Sequence, residues 1–375
     1  MRKSSYNKRI IIFFFLYVFS CTQEKHNEAE NANSYNFHVN YLKDFFVCDT
    51  ILLNIPNFVE LNHVKSACIL YDQRLLLAET KSSQLFLFDS TGNFISTLGM
   101  KGQGPEEFFR PWHIAANRQH IVIGDFHNRR ISVFDSDLNF LQSFQVSHMI
   151  HDLILTEGDT LIIHDHETAR LLNKESIYVY SVKGELKCKL GGPFELGYKL
   201  RHIPFRPQGP LLTKLGKFLF EMDYPDYKIK KYALNECKFL KILSHKPSGW
   251  KSLLDFNYQK LKPPKVVDQA TLKKLDTFFN DFFQYSMVQW IASVEPGYLV
   301  YNVQTDKKVQ FIVFSNSGSF ITDNLVPAPG SYDYKSDTFL AIKPHGFGLI
   351  RKKVDPFGYT VEMKVITFRK LRLPD

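Results

Sequence analysis

The stretch from residue 76 to residue 144 contains one strand-like unit that occurs twice, 46 residues apart and without a gap. The alternating segment LFLFD at residues 85–89 returns as ISVFD at residues 131–135, and the pair Asn93-Phe94 returns as Asn139-Phe140. A repeat of about 45 residues that is built from short strands is typical of the blades of a β-propeller. This spacing limits the choice of fold more than any other feature of the sequence.

The rest of the chain is interpreted as weaker copies of the same unit. The pattern predicts six blades, of which the last is one strand short. We expect a strand within residues 36–47 or residues 50–61 to supply the missing strand and to close the ring, because closure leaves no open sheet edge. The predicted fold is therefore an all-β, six-bladed propeller that spans residues 36–375.

Residues 244–285 interrupt the strand pattern between blades four and five. Asp268 is a suitable helix N-cap, and the apolar residues up to Phe283 recur with helical spacing. We therefore predict a partly helical insertion at this point of the ring.

The N-terminus has the pattern of an export signal. Basic residues precede an apolar run at residues 10–19, which is too short to cross a bilayer as a helix, and Ser20-Cys21 follows. Residues 18–21 resemble the lipobox of bacterial lipoproteins, in which the cysteine becomes the lipidated first residue. We predict a signal peptide at residues 1–20, lipid attachment at Cys21, a polar tether at residues 21–35 and anchoring at the outer membrane. An ordinary cleaved signal with an incidental Cys21 is the alternative.

Charge and cysteine content exclude few classes of function. The formal net charge of +9 includes four basic residues of the predicted signal peptide, so the exported chain is only mildly basic. We interpret its basic runs as solvated strand edges and predict no nucleic-acid partner. The four remaining cysteines show no spacing typical of a metal site or redox pair, and we interpret them as buried thiols, although an exported protein could oxidise them. They are Cys48, Cys68, Cys188 and Cys237.

The predicted strands place all long connections at one end of the propeller. If the strands of a blade are named A to D in chain order, the A–B and C–D turns leave from one end, and the B–C and D–A connections leave from the other. The A–B and C–D turns are all short in this sequence. The long segments are all B–C or D–A connections: residues 99–110, 165–175, 191–207, 244–285, 323–337 and 352–358. Loops on a rigid scaffold are common binding sites, so we expect ligands at this end.

One connection has a recognisable motif. Residues 98–108 read LGMKGQGPEEF, and together with Asp125, Asn128, Arg129 and Arg130 they resemble the NHL-like and TolB-like six-bladed propeller lipoproteins of Bacteroidetes. The resemblance implies a lipid-anchored propeller of the cell envelope and implies no established chemistry. A simple blade-to-blade connector is the alternative reading of this glycine-rich segment.

Several side chains near the long connections are candidates for ligand binding, because guanidinium groups pair with anions and aromatic rings stack. They are Arg110, Trp112, His113, Asp125, Asn128, Arg129 and Arg201. The alternative is that each of them pins a loop to the scaffold.

No catalytic residue and no cofactor is predicted. His164, Asp165, His166 and Glu167 are interpreted as a solvated loop, since a loop of consecutive donors gives no fixed coordination geometry. A Ca²⁺ or Zn²⁺ at the propeller axis would need acids from several blades, and no acidic set is seen to recur from blade to blade. The sequence thus predicts a binding module for an unidentified protein or glycan. A metal-dependent hydrolase or lyase of sugars or lactones, and a structural subunit of an envelope complex, are the alternatives.

Overall fold

The computed structural model describes residues 40–41, 46–57, 59–193, 211–224, 226–253, 286–295, 297–304, 309–315, 317–326, 337–343, 346–354 and 360–371. All of these residues belong to one unit, Val39–Asp255 with Tyr285–Asp375. The predicted signal peptide, Cys21, the tether, the helix from Asp268 and Arg201 lie outside the described residues. No helix in the described ranges is long and apolar enough to cross a membrane.

The described strands form six antiparallel blades, as the sequence predicts. Two strands precede the first blade: β1 (Asn40–Tyr41) and β2 (Phe46–Leu53). Blade 1 contains β3 (Val64–Ile69), β4 (Leu75–Glu79), β5 (Gln84–Phe88) and β6 (Phe94–Leu98). Blade 2 contains β7 (Pro111–Ala116), β8 (His120–Asp125), β9 (Arg130–Asp135) and β10 (Phe140–Gln145). Blade 3 contains β11 (Asp152–Leu155), β12 (Thr160–His164), a short helix α1 (His166–Leu172), β13 (Ile177–Ser181) and β14 (Leu186–Leu190).

The second half of the ring follows the same plan. Blade 4 contains β15 (Leu212–Leu215), β16 (Phe218–Met222), β17 (Ile229–Ala233) and β18 (Lys238–Leu243). Blade 5 contains β19 (Met287–Val294), β20 (Tyr298–Gln304), β21 (Val309–Ser315) and β22 (Phe320–Val326). Blade 6 contains β23 (Asp337–Lys343), β24 (Phe347–Val354) and β25 (Thr360–Leu371). The first strands of successive blades contact one another all the way round and so form the inner ring.

An N-terminal strand closes the ring, which confirms the predicted closure. Strand β2 pairs antiparallel with β25 over its whole length and becomes the fourth strand of blade 6. The start of β2 overlaps the end of the first predicted range, residues 36–47, and its last part overlaps the start of the second, residues 50–61. The alternation in β2 is poor because an outermost strand is exposed on much of its surface, so the sequence could not fix its boundaries. Strand β1 lies within the first of these ranges, but it adds in parallel to β22 of blade 5 and does not close blade 6.

The core consists of six apolar clusters, one between each pair of neighbouring blades. The inner strands are covered on both faces, and every residue of β4, with the sequence LLLAE, is buried. The largest side chains fill the junction of blades 5 and 6, where the rings of Trp290 and Phe347 lie 5.1 Å apart. Burial of this kind stabilises by about 25 cal/mol per Å² of apolar surface. Each blade therefore depends on both of its neighbours.

The 46-residue repeat has a local cause in the C–D turns. Asp89 accepts backbone N–H bonds from Thr91 and Asn93, each at 2.9 Å, and Asp135 accepts the same bonds from Asp137 and Asn139. Gly92 and Leu138, 46 residues apart, both have a left-handed backbone, with φ of 91° and 67°. These turns place the D strand at the same offset in each copy.

Two cysteines form a disulfide, so their interpretation as thiols is wrong. Cys188 in β14 of blade 3 is bonded to Cys237 in the C–D turn of blade 4. The sequence could not show this pair, because their proximity depends on how two neighbouring blades pack. Cys68 is a buried thiol, as predicted, whereas Cys48 is a free thiol that is only half-buried.

We expect the double variant Cys188→Ser/Cys237→Ser to lose up to about 4 kcal/mol of unfolding free energy, because the bond closes a loop between residues 49 apart in the chain. Urea unfolding of the wild type with and without a reductant provides the comparison. The reductant should destabilise the wild type and leave the double variant unchanged. Equal sensitivity of both proteins to the reductant would contradict the pairing.

Candidate functional site

The consecutive order of strands in every blade places the B–C and D–A connections at one end of the propeller. We call this end the loop-rich face. Among the described residues it includes the linker of residues 99–110 between blades 1 and 2 and the connection of residues 165–176 in blade 3. The A–B turns, such as residues 117–119, lie at the other end.

The glycine-rich linker is fastened by a buried cluster of polar side chains. The Arg130 guanidinium donates to the carbonyl oxygens of Gln103, at 2.6 Å, Gly104, at 3.0 Å, and Glu107. It also lies 3.4 Å from the carboxylate of Asp125. Asn128 links the linker and the same carboxylate, since its amide donates to the Gly102 carbonyl at 2.9 Å and to Asp125 at 2.7 Å. We call Asp125, Asn128 and Arg130 the clasp.

The linker also bonds to itself, which explains its glycines. The Glu107 carboxylate accepts N–H bonds from Gln103 at 2.9 Å and Gly104 at 2.8 Å. A Cβ atom at Gly102 would overlap this carboxylate, so a larger residue there would have to displace it from its two N–H donors. The motif thus builds a rigid connector, in agreement with the alternative reading of the sequence.

A carboxylate at the end of strand B recurs in three blades, which corrects the inference that no acidic set recurs. Each of these side chains accepts a backbone N–H from the linker that leads into strand A of its own blade. The bonds are His63 to Glu79 at 2.7 Å, Phe109 to Asp125 at 3.0 Å and Met149 to Asp165 at 3.0 Å. The acids recur because every linker needs an acceptor at this point.

Basic side chains project from the same region. Lys101, Arg110, His127 and Arg129 are all exposed. Arg110 and Arg129 have a left-handed backbone, with φ of 64° and 49°. Backbone bonds hold both residues: Arg110 accepts from Phe126 at 3.3 Å, and Arg129 accepts from Val146 at 2.9 Å. Their guanidinium groups meet no acceptor within the described part of the chain.

Aromatic rings and a histidine–carboxylate pair lie next to these cations. Trp112 is half-buried, and its ring meets Phe126 edge-on at 4.0 Å. His113 lies 3.6 Å from the carboxylate of Asp152, which starts the inner strand of the next blade. Phe126 in turn contacts His151, with ring centres 5.7 Å apart. Blades 2 and 3 therefore share one continuous surface at the loop-rich face.

The segment from His164 to Glu167 is ordered and largely buried, so its interpretation as a solvated loop is wrong. Asp165 caps α1 by accepting the Thr168 N–H at 3.0 Å. His151 lies 3.2 Å from both Asp165 and Glu167. Burial lowers the pKa of His151, but the hydrogen bonds and charges of these two acids outweigh burial and raise it above its ordinary value. Burial likewise raises the pKa of Asp165, and its bonds to His151 and to backbone N–H groups lower it overall.

A second network, which the sequence did not reveal, is sealed between blades 3 and 4. The Glu221 carboxylate is fully buried and accepts bonds from His164 at 3.0 Å, Tyr232 at 2.8 Å and Ser176. Burial raises its pKa, whereas His164 and the positive charge of Lys230 lower it by more. The sequence pattern gave no sign of this network, because its members are distant in the chain. Glu221, His164 and Tyr232 lie in different strands, and Ser176 lies in a loop. Among the described residues, no group of His, Cys, Asp or Glu has the geometry to hold a metal ion.

The predicted site residues thus fall into separate groups. Arg110 and Arg129 are exposed on the loop-rich face, and Trp112 and His113 are half-buried beside them. The polar atoms of Asp125 and Asn128 are occupied within the clasp. Sequence reasoning missed His127 and His151, whose roles depend on contacts between neighbouring loops.

The comparisons with known proteins agree with this architecture. A family model described as a 6-bladed beta-propeller (DUF5128) matches residues 21–247, which is more than half of the chain. The chain therefore belongs to this family of six-bladed β-propellers. No curated protein matches the sequence.

Two solved structures from Bacteroides share the fold. A presumed exported protein from Bacteroides fragilis has a TM-score of 0.58 and 14% identity, over 89% of this chain and 98% of its own. A member of the DUF4221 family from Bacteroides vulgatus has a TM-score of 0.57 and 10% identity, over 88% of this chain and 98% of its own. At these identities the likeness shows the fold alone.

We expect Arg130→Ala to lower the unfolding free energy by about 3 kcal/mol, because it leaves three linker carbonyls without their donor and removes the positive charge beside the buried Asp125 carboxylate. Arg130→Lys should recover only part of the loss, since an ammonium cannot reproduce the planar fork of donors. Urea unfolding checks both variants. Arg118→Ala, on the opposite face, is the control, and an equal loss in that variant would contradict the role of the clasp.

Asp165→Asn tests the pair with His151. A raised His151 pKa stabilises the fold below the ordinary value of 6.5, and this contribution is lost as the pH rises through the folded-state pKa. A lowered Asp165 pKa stabilises the fold above pH 3.8, its ordinary pKa, and this contribution is lost as the pH falls through the folded-state pKa. The variant should therefore be less stable than the wild type by about 2 kcal/mol near pH 6.

The same difference should become smaller as the pH rises towards 9, and thermal unfolding at several pH values measures it. Asp89→Asn is the control, because this turn aspartate bonds to Thr91 and Asn93 and has no histidine among its bonded partners. A difference for Asp165→Asn that stays constant from pH 6 to pH 9 would contradict the ion pair.

Proposed function

We propose that this propeller is an exported, lipid-anchored protein of the cell envelope, and that it binds a ligand or partner protein through its loop-rich face without catalysing a reaction. The observation that supports binding most directly is the pair Arg110 and Arg129. Each is exposed, and each has a left-handed backbone. Such a conformation costs about 1–3 kcal/mol in a residue other than glycine, and it persists where the surrounding structure over-determines it.

The clasp provides that surrounding structure. It holds the linker that precedes Arg110 and the turn that contains Arg129, so the backbone of both residues is fixed before any ligand arrives. Preorganised groups lose little conformational entropy on binding, which favours affinity. Trp112 extends the same surface, since it contacts His113 and also Phe126, whose ring meets His127.

Export is supported by independent observations. The Cys188–Cys237 disulfide favours an oxidising compartment. A protein of the same fold from Bacteroides fragilis is a presumed exported protein. The basic and apolar pattern of residues 1–20 and the lipobox-like sequence before Cys21 point the same way. The finer resemblance to NHL-like and TolB-like lipoproteins, and lipid attachment at Cys21, are part of this proposal.

Site-directed photo-cross-linking tests the proposed face. Met100→Cys in the linker of the loop-rich face, where the side chain is exposed, and Arg118→Cys on the opposite face are each labelled with a benzophenone maleimide, and then exposed to detergent-solubilised envelopes of the producing cell. Position 100 should yield a defined adduct, which mass spectrometry identifies. The wild type, treated with the same reagent, corrects for labelling of Cys48 and Cys68. Equal adducts from both faces, or adducts from position 118 alone, would overturn the proposal.

A further inference from the structure

Two loops of the loop-rich face bring together three cationic side chains and a histidine. Lys101 and Arg110 lie in the linker of residues 99–110, and His127 and Arg129 lie in the B–C turn of blade 2. Backbone bonds join the loops, since His127 donates to the Phe109 carbonyl at 3.2 Å. We call Lys101, Arg110, His127 and Arg129 the cationic patch.

The patch has an aromatic floor. The Phe109 ring stacks on His127, with centres 4.8 Å apart and planes inclined by 28°. The ammonium group of Lys101 lies 5.1 Å from the centre of the Phe109 ring. Phe126, behind these rings, contacts both His127 and Trp112. Flat rings next to fixed cations offer an apolar surface and charge pairing at the same place.

The charges of the patch are not neutralised by the acids of its own loops. The Asp125 carboxylate is fully buried in the clasp, and the Glu107 carboxylate accepts two linker N–H groups. Glu106 is an exposed acid of the same linker, so the cations Lys101, Arg110 and Arg129 exceed it in number. Burial, followed by the charge of Arg110, lowers the pKa of His127, which leaves its ring neutral near pH 7 and suited to hydrogen bonding and stacking.

We propose that the cationic patch binds an acidic saccharide, in which sugar rings bear carboxylate or sulfate groups. This inference rests on the proposed binding function and names its ligand class. The guanidinium groups of Arg110 and Arg129 pair with the oxyanions, and planar guanidinium donors match such groups well. The Phe109–His127 stack packs against the C–H face of a sugar ring. Charge alone would serve an acidic peptide equally well, but the aromatic floor favours the saccharide.

The test uses the full exported protein and four purified probes in calorimetric titrations at low salt. Polygalacturonate oligosaccharides carry carboxylates and dextran sulfate carries sulfates, whereas dextran is uncharged and polyglutamate is an acidic peptide. We expect one or both acidic saccharides to bind and dextran to fail. Binding of only one of them identifies the oxyanion. Binding should weaken as salt rises, because exposed charges are screened.

Variants locate the site and separate charge from stacking. Arg110→Gln/Arg129→Gln should weaken saccharide binding about tenfold or more, since each pair contributes a charge-assisted bond, whereas Arg118→Gln on the opposite face should have no effect. His127→Ala should weaken saccharide binding and leave any polyglutamate binding unchanged. Thermal unfolding confirms that each variant is folded.

Three results would overturn the inference: no binding of either acidic saccharide, equal binding of polyglutamate, or unchanged affinity in the arginine double variant. The photo-cross-linking experiment reports separately on the proposed function. A protein or a neutral glycan captured at position 100 would leave the proposed function intact and refute only the acidic saccharide.

Discussion

The loop-rich face depends on one kind of hydrogen bond, from the backbone N–H of an incoming linker to a carboxylate at the end of strand B. Glu79, Asp125 and Asp165 each accept such a bond. A buried N–H without an acceptor is costly, and a carboxylate is a strong acceptor. The linkers of blades 1 to 3 are therefore fixed to the β-scaffold at the point where they enter a new blade, and the side chains that they present are fixed with them.

This constraint connects the fold to the proposed binding surface. In blade 2 the carboxylate is part of a larger cluster, in which Arg130 and Asn128 hold almost the whole glycine-rich linker. The buried charges are satisfied within the scaffold, so the cations that remain at the surface are available for an external partner. The sealed Glu221 network between blades 3 and 4 has the opposite character, because all its partners are internal. Some polar residues of this face therefore stabilise the scaffold, and others remain exposed at the surface.

The repeat at residues 76–144 was sufficient to predict the unit of a blade, because the alternation of a strand and the aspartate turn at Asp89 and Asp135 are local properties of the chain. Weaker copies along the rest of the chain gave the count of six blades. The closing strand and β1 were harder to place, since their pairing depends on distant strands. Contacts between blades were invisible for the same reason: the Cys188–Cys237 bond and the burial of His164 arise only when neighbouring sheets pack. At the site, the sequence identified Arg110 and Arg129 but could not distinguish surface groups from Asp125 and Asn128, whose environment is set by the folded linker.

The pairing of β2 with β25 has a consequence for biogenesis. Strand β2 is among the first parts of the described chain to be synthesised, whereas β25 is among the last. The edge of β2 therefore stays without its partner until synthesis of the described chain is nearly complete, and unpaired edges of this kind invite association with other chains. The other blades can form as their strands are synthesised, but the ring closes only when β25 is present. Slow late assembly is the natural cost of this closed architecture.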